Sequence, residues 1–278
     1  MSASVLAAGP DLRLSSKDYA AVSEFLHRRC GIRMREGKEA LVVSRLGHRV
    51  RALRLPTLTS YINAVLDEEL SGELPNFIDV LTTNKTGFYR ESRHFDYLAA
   101  EILPQLVKRG REIKMWSAAC SSGEEPYTLA ITVRETIPPE FQHRVRILAT
   151  DISTRIITAA KAGRYTGQQA QGIPKEQLKR WFTAQGDETF EAKAQLKELV
   201  RFAQLNLMEA WPMRGPFDVI MCRNVMIYFD RETQERLVRR FAELLPPGGV
   251  LCVGHAESLN GLSHGLEQMQ PAVYRKAG

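Results

Sequence analysis

Beyond residue 110 the chain alternates short, continuously apolar runs with helical patterns, and that alternation admits very few folds. The runs are Ile113–Ala118, Val145–Thr150, Val200–Leu205, Phe217–Cys222 and Val250–Gly254. Most are separated by helical periodicities, at Pro126–Glu135, Ser153–Ala162 and Arg231–Leu245. A strand apolar on both sides has to be covered on both faces, and strands joined through helices run parallel. The pattern therefore predicts a doubly wound α/β sheet with right-handed helical crossovers. Pro246-Pro247-Gly248-Gly249 makes a hard turn into the last run, and Met269–Lys276 is expected to add a strand at an edge.

Two regions depart from this grammar. Residues 12–80 read as helices throughout: Ser15 or Ser16 is an N-cap for a helix carrying Tyr19, Val22, Phe25 and Leu26, with Gly31 as its left-handed end. Val42, Val43, Leu46, Val50 and Leu53 form a second stripe that Leu55-Pro56 halts, and further helices are expected over 59–70 and 74–81. Between Tyr165 and Phe202 a helical pattern (Pro174–Phe182) precedes a stretch in which Phe190, Ala192, Ala194 and Leu196 alternate with charged or polar residues. Period two predicts a half-exposed strand and hence a small inserted β-subdomain, about 165–202; a long amphipathic helix is the competing reading. The resulting division is a tail (1–11), a helical domain (12–80), a linker (81–95) and an α/β domain (96–278).

Composition narrows the function classes. With 278 residues, 44% of them hydrophobic, the chain can bury a sizeable core without staples. No apolar stretch is long enough to span a bilayer, and the opening MSASVLAAGP lacks the basic flank of a secretory signal. The four cysteines, Cys30, Cys120, Cys222 and Cys252, form no C-x-x-C pair, and the six histidines show no metal-ligand spacing, His94 and His255 included. No metal is expected. A net charge of +6 suggests an acidic partner. From His27 to Arg54 there are nine Lys or Arg against Glu36 and Glu39, and Arg45, Arg49, Arg51 and Arg54 avoid the apolar stripe. That face is either simply solvated or a surface that steers an acidic substrate.

In an open parallel sheet, ligands bind outside the carboxyl ends of the strands. The first strand runs into Ala119-Cys120-Ser121-Ser122-Gly123-Glu124-Glu125-Pro126, which is not the G-x-G-x-x-G of a dinucleotide fold. Two acidic residues at a helix start would repel a pyrophosphate; they suit a cationic, hydroxyl-bearing ligand, and S-adenosylmethionine has that character. Asp151, at the tip of the second strand, fits either a ribose acceptor or a cap of the following helix. Arg223, Asn224 and Tyr228 follow the fourth strand, either as crevice-mouth polar groups or as a cap with a buried tyrosine.

These segments resemble the CheR family in order over nearly the whole chain: LTTNKTGFYR (81–90), WSAACSSGEEPYTLA (116–130), ATDIS (149–153), FDVIMCRNVMIYF (217–229) and GGVLCVGHAESL (248–259). The combination N-x-T-x3-R, SSGEEPY and CRNVMIYF is highly specific. The resemblance implies a helical N-terminal domain joined to a methyltransferase-type (Rossmann-like) domain with a β-subdomain. It also implies transfer of a methyl group from S-adenosyl-L-methionine to glutamates of chemotaxis receptors, with S-adenosyl-L-homocysteine as the product. By the same resemblance, Asn84, Thr86, Arg90, Glu125, Asp151, Asn206, Leu207, Arg223 and Asn224 would contact the cofactor, and Arg90 and Tyr228 would lie near the methyl group. The helical domain, with Arg45, Arg49, Arg51 and Arg54, would face the methylation helices of membrane receptor arrays from the cytoplasm, without inserting into the membrane. The short, glycine-poor stretch RWFTAQGDETFEAKAQL resembles members that do not depend on a receptor's C-terminal pentapeptide. Two other classes compete. Methylation of nucleic acid would suit the basic domain, but CRNV replaces the Asn/Asp-Pro-Pro-aromatic turn of amino-directed DNA enzymes and no base-stacking aromatics accompany the basic stretch. A non-catalytic cofactor-binding scaffold is disfavoured by the presence of both Arg90 and Tyr228.

Overall fold

In the computed structural model, which describes residues 9–186 and 188–278, the chain divides into two units after Thr83. In the first unit, caps define the helices. The Ser15 hydroxyl accepts from the Asp18 N–H to open α1 (Ser16–Cys30), and Gly31, at φ 72°, closes it. Helix α2 (Glu39–Ala52) buries Val42, Leu46 and Val50. Leu53, expected on the same stripe, is instead 38% exposed because the helix ends one residue before it. Thr57 and Ser60 form a reciprocal capping box at α3 (Leu58–Leu66), and a 3-10 turn (Ser71–Glu73) leads into α4 (Leu74–Leu81). Asp11 is not part of a tail: it bridges to Thr57 and exchanges backbone hydrogen bonds with Pro56 and Leu58. Residues 1–8 of the expected tail lie outside the described residues.

The second unit begins at Asn84, so most of the stretch read as a linker, including the N-x-T-x3-R motif, belongs to it. Helix α5 (Arg93–Tyr97) continues through a π-helical stretch (Leu98–Ile102) into α6 (Leu103–Lys108). Then follow β1 (Ile113–Ala118), α7 (Glu124–Thr136), the short α8 (Pro139–Gln142), β2 (Val145–Asp151) and α9 (Thr154–Ala162). The remaining elements of the principal sheet and its cover are β6 (Val200–Gln204), β7 (Val219–Cys222), α13 (Arg231–Leu244), β8 (Val250–Val253), β9 (Leu266–Gln270) and β10 (Val273–Lys276). The strand order is β6-β2-β1-β7-β8-β10-β9. The first five strands are parallel, and β10 pairs antiparallel with both β8 and β9, so the C-terminal segment supplies a hairpin rather than the single expected edge strand. Strands β7 and β8 are buried at every position, as their continuous apolar runs require.

The insertion is real but smaller than its pattern suggested. β3 (Arg164–Thr166), β5 (Thr189–Ala192) and β4 (Phe182–Gln185) form a three-stranded antiparallel sheet in that spatial order, with α10 (Gly167–Ala170) and α11 (Lys175–Trp181) between β3 and β4. The alternating stretch is strand only as far as Ala192; Ala194–Lys197 forms the helical turn α12. Ala, Gln, Leu and Lys are good helix formers, and the paired strand β4 starts opposite Ala192, so nothing holds the chain extended beyond it. Residues from Val200 onward belong to the principal sheet.

Candidate active site

Chain order reverses between β1 and β7, which places the crevice at their carboxyl ends. The backbone there is strained. Ala119 (φ 68°), Ser121 (φ 50°) and Asn224 (φ 58°) are left-handed without being glycine, and so are Tyr89 (φ 53°) and Glu91 (φ 55°) in the segment that precedes α5. Each such residue costs about 1–3 kcal/mol and persists only where surrounding contacts offset that cost, and their grouping on these loops marks a built site.

What enforces them is a buried ionic network. Arg223 follows β7 directly, and its guanidinium donates through Nη1 to Glu125 Oε2 and through Nη2 to Glu91 Oε2, both at 3.0 Å. Nη2 also donates to the backbone carbonyl of Arg90, and the guanidinium lies 5.5 Å from the centre of the Phe95 ring. Asn224 Nδ2 donates to Glu91 Oε1 at 3.2 Å. Glu125 is held from its other side by the Ser117 hydroxyl at 2.7 Å. Burial raises the Glu91 carboxyl, but hydrogen bonds from Asn224 and Arg223 outweigh it and hold the group below the usual carboxylate range. Burial pushes Glu125 up, opposed by the same guanidinium and by Ser117. One cation thus sits between two carboxylates and joins the 84–92 segment, the start of α7 and the end of β7.

Asp151, at the end of β2, accepts from the N–H of Ser121 at 2.8 Å through Oδ2 and from that of Ser153 at 3.1 Å through Oδ1. It ties the β1 loop to the β2 loop. The cap of α9 is Ser153, not Asp151. The Ser121 hydroxyl donates in turn to the carbonyl of Asn84 at 3.1 Å. Glu124 is turned away from the network, accepting from the Ser122 hydroxyl at 2.6 Å, and burial raises its carboxyl. Asp151 at the end of β2, Glu125 in the first turn of α7, a glycine-bearing loop and the half-buried Arg90 make a donor and acceptor set suited to a cationic ligand with hydroxyls and a carboxylate.

Residues 17–82 match the family description "CheR methyltransferase, all-alpha domain", and residues 84–275 match "CheR methyltransferase, SAM binding domain". The chain belongs to the CheR family. It is 40% identical over 271 residues to chemotaxis protein methyltransferase 2 of Pseudomonas aeruginosa, covering 96% of this chain and 95% of that one. It is 37% identical over 267 residues to the chemotaxis protein methyltransferase of Escherichia coli (95% and 92% covered). It is 39% identical over 252 residues to a probable chemotaxis protein methyltransferase of Rhizobium etli (88% and 94%). This chain is therefore an S-adenosylmethionine-dependent methyltransferase of the chemotaxis type.

Within this CheR chain the expected site residues divide into two groups. Glu125, Asp151, Arg223 and Asn224 are bound into the network just described. Asn206 is committed as well, its Oδ1 accepting from the Met208 N–H at 3.0 Å and its Nδ2 donating to Glu209; the carbonyl of the buried Leu207 accepts from Arg240 at 2.7 Å. By contrast, the half-buried Arg90 donates from its side chain only to the carbonyl of Lys85, at 2.7 Å, and the side-chain hydroxyls of Thr86 and Tyr228 have no partner among the described residues. Of these three, Arg90 and Tyr228 are the ones the resemblance places nearest the transferred group. Two buried carboxylates at the site, Glu91 in the network and Glu257, which accepts the Asn224 N–H, were not anticipated from the sequence. Glu91 follows Arg90 directly, and its acidity beside the motif arginine was the available signal.

The two histidines of the motif segments also meet. The rings of His94 and His255 lie 5.1 Å apart, and with Glu91 they offer three ligand atoms within 4.8 Å of one another. Linear spacing conceals this trio. Both oxygens of Glu91 are already engaged, however, and the positive charge that this carboxylate balances is the guanidinium of Arg223. His94 is buried, and its Nδ1 is 3.7 Å from Glu91 Oε2; burial, with Arg223 nearby, pushes its pKa down to about 4, so the ring is neutral at pH 7.

The basic face of α2 needs correction. Arg49 donates to both oxygens of the buried Glu73, at 2.6 and 2.8 Å, and Arg45 donates to the carbonyls of Leu81 and Thr82, at 2.8 and 3.1 Å. Both side chains are engaged in packing within the helical unit. Arg51 and Arg54 remain exposed, without a side-chain partner among the described residues.

Proposed function

We propose that this CheR protein methylates glutamate side chains on the cytoplasmic methylation helices of chemotaxis receptors, giving glutamate 5-O-methyl esters and S-adenosylhomocysteine. The observation that carries this reading is the bridge made by Arg223. It fixes the backbone of Arg90 to the end of β7, from which the turn bearing Tyr228 follows, while the Arg90 side chain is held only by the Lys85 carbonyl and the Tyr228 hydroxyl has no partner among the described residues. Bound S-adenosylmethionine supplies an electrophilic methyl group on a sulfonium. Asp151 and Glu125 are the residues that would hold its hydroxyl-bearing and cationic parts, with Asn84, Thr86, Asn206, Leu207 and Asn224 around them.

A glutamate side chain has a pKa of ~4.3 and is already the ionised nucleophile near pH 7, so no residue has to remove a proton. Consistent with this, His94 is buried and neutral rather than presented as a base. The task left to the protein is orientation, which can lower a barrier by roughly 7–11 kcal/mol. Arg90 would draw in and align the carboxylate through charge-assisted hydrogen bonds, and the Tyr228 hydroxyl would fix the reacting oxygen or line the methyl passage. Arg51 and Arg54 would steer the acidic receptor helix; Arg45 and Arg49 would support that face indirectly. In the β-subdomain, Gln185 of β4 pairs with Thr189 of β5, so residues 186–188 alone connect them. So few residues between the two strands favour methylation independent of a receptor C-terminal pentapeptide.

The test is methyl transfer from tritiated S-adenosylmethionine to receptor-containing membranes. Base-labile label on the receptor is expected. Label on nucleic acid, or none, refutes the proposal, and tight binding of a receptor pentapeptide refutes its last part.

A further inference from the structure

Glu257 lies in the loop after β8, is 7% exposed, and among the described residues its carboxylate bonds to neither Arg90 nor Arg223. Its carboxylate is spent entirely on backbone. Oε2 accepts the N–H of Asn224 at 2.8 Å and that of Gly254 at 2.6 Å, while Oε1 accepts the N–H of Ile227 at 3.2 Å. One side chain thus pins the left-handed Asn224, the end of β8 and the 3-10 turn Met226–Tyr228 that presents the Tyr228 hydroxyl. The fit is tight: a Cβ on Gly254 would fall 2.8 Å from Glu257 Oε2 and 2.9 Å from the Asn224 nitrogen. Buried N–H groups need acceptors, and an unpaired one is costly, so without this carboxylate three N–H groups of these loops would lose the acceptor they have here.

We infer that Glu257 is a positioning residue for methyl transfer, holding the turn so that Tyr228 meets the reacting groups. The inference rests on the role proposed above for Tyr228. Glu257→Gln isolates the claim. The amide oxygen can keep the Oε2 position, with its two donors, while the amide NH2 then faces the Ile227 N–H and cannot accept from it. The turn loosens at the residue next to Tyr228, and the strand ends stay tied.

Expected is a fall in kcat of about 100-fold, the cost typical of an ångström-scale misplacement, with the Kd for S-adenosylhomocysteine changed less than about threefold. Glu257→Asp, which keeps the charge but shortens the reach, should recover part of the rate. In a Tyr228→Phe background the same substitution should cost little more, because Glu257 acts through that hydroxyl. Equal losses in both backgrounds, or parallel losses in kcat and Kd, overturn the inference. Should the variants fail to fold, hydrogen exchange on the wild-type protein decides: the Asn224 and Ile227 amides are expected to be protected at least 100-fold over an open loop, and exchange at loop rates refutes the clamp. A wild type that binds S-adenosylhomocysteine but methylates no receptor overturns the substrate assignment instead, while slow exchange of those amides still supports the clamp.

Discussion

Replacing Arg223 with Met removes the cation from between Glu91 and Glu125 while keeping most of the side-chain volume against Phe95. Each 3.0 Å contact is worth roughly 5 kcal/mol of gross Coulomb energy at an effective dielectric constant near 20, much of it offset by desolvation. With the guanidinium gone the offset remains and the attraction is lost, leaving two part-buried carboxylates, 15% and 11% exposed, facing the same space. The expected loss is about 3–5 kcal/mol, a fall in Tm of roughly 6–20 °C for a unit of this size. The pH dependence identifies the cause. In the wild type the folded Glu91 has a lowered pKa, so its contribution is present above the unfolded value and is lost as pH falls through the folded one. In Arg223→Met burial and repulsion raise both carboxyls, and that variant gains stability as pH falls from 8 toward 5. His94, whose neutrality Arg223 helps enforce, shifts the balance in the same direction. Thermal melts of both proteins between pH 5 and 8 should therefore show a gap that narrows on acidification by at least ~1 kcal/mol. A gap of constant size would mean that Arg223 acts through packing alone, and would refute the electrostatic account of the site.

Arg90→Ala should lower receptor methylation about 100-fold while shifting Tm by under ~2 °C, because its side chain makes one hydrogen bond at the surface; unchanged specific activity would remove it from the mechanism. Charge reversal at Arg51 and Arg54 together should weaken receptor methylation and leave calorimetric affinity for S-adenosylhomocysteine intact, whereas Arg49→Met should destabilise the helical unit by ~1–3 kcal/mol by leaving the buried Glu73 short of its partner. Burial raises Glu73, but Arg49, Asn76 and Tyr61 together hold it low, so that contribution is present near neutrality and is lost as pH falls below the ordinary carboxylate value; melts of an Arg49→Met variant should show a flatter acid limb. His94 adds an acid sensitivity of its own. With its folded pKa about 4 and its unfolded value near 6.5, stability is complete above ~6.5 and falls by ~3 kcal/mol as pH approaches 4, a slope that His94→Leu should flatten in denaturant titrations.

The sheet, its helices and the split into a helical and an α/β part were legible in the sequence because each rests on local information: apolar runs, 3.6-residue stripes, and caps such as Ser15 and Gly31. The motif residues came from the family resemblance rather than from local pattern: Asp151, Arg223 and Asn224 lie at or just beyond strand ends, whereas Asn84, Thr86 and Arg90 precede α5, far from any strand. What required the fold was partnership across distance. Arg49 reads as a solvated arginine until Glu73, 24 residues away, is folded against it. Arg223 reads as a rim residue until Glu91 and Glu125, 132 and 98 residues away, close around it. His94 and His255 have no spacing relation in the chain, and Glu257 carries no sign in its neighbours that backbone N–H groups from the loops after β7 and β8 will converge on it. A residue's hydrogen bonds and charge partners depend on which strand ends meet, and only the order β2-β1-β7-β8 brings these ends together.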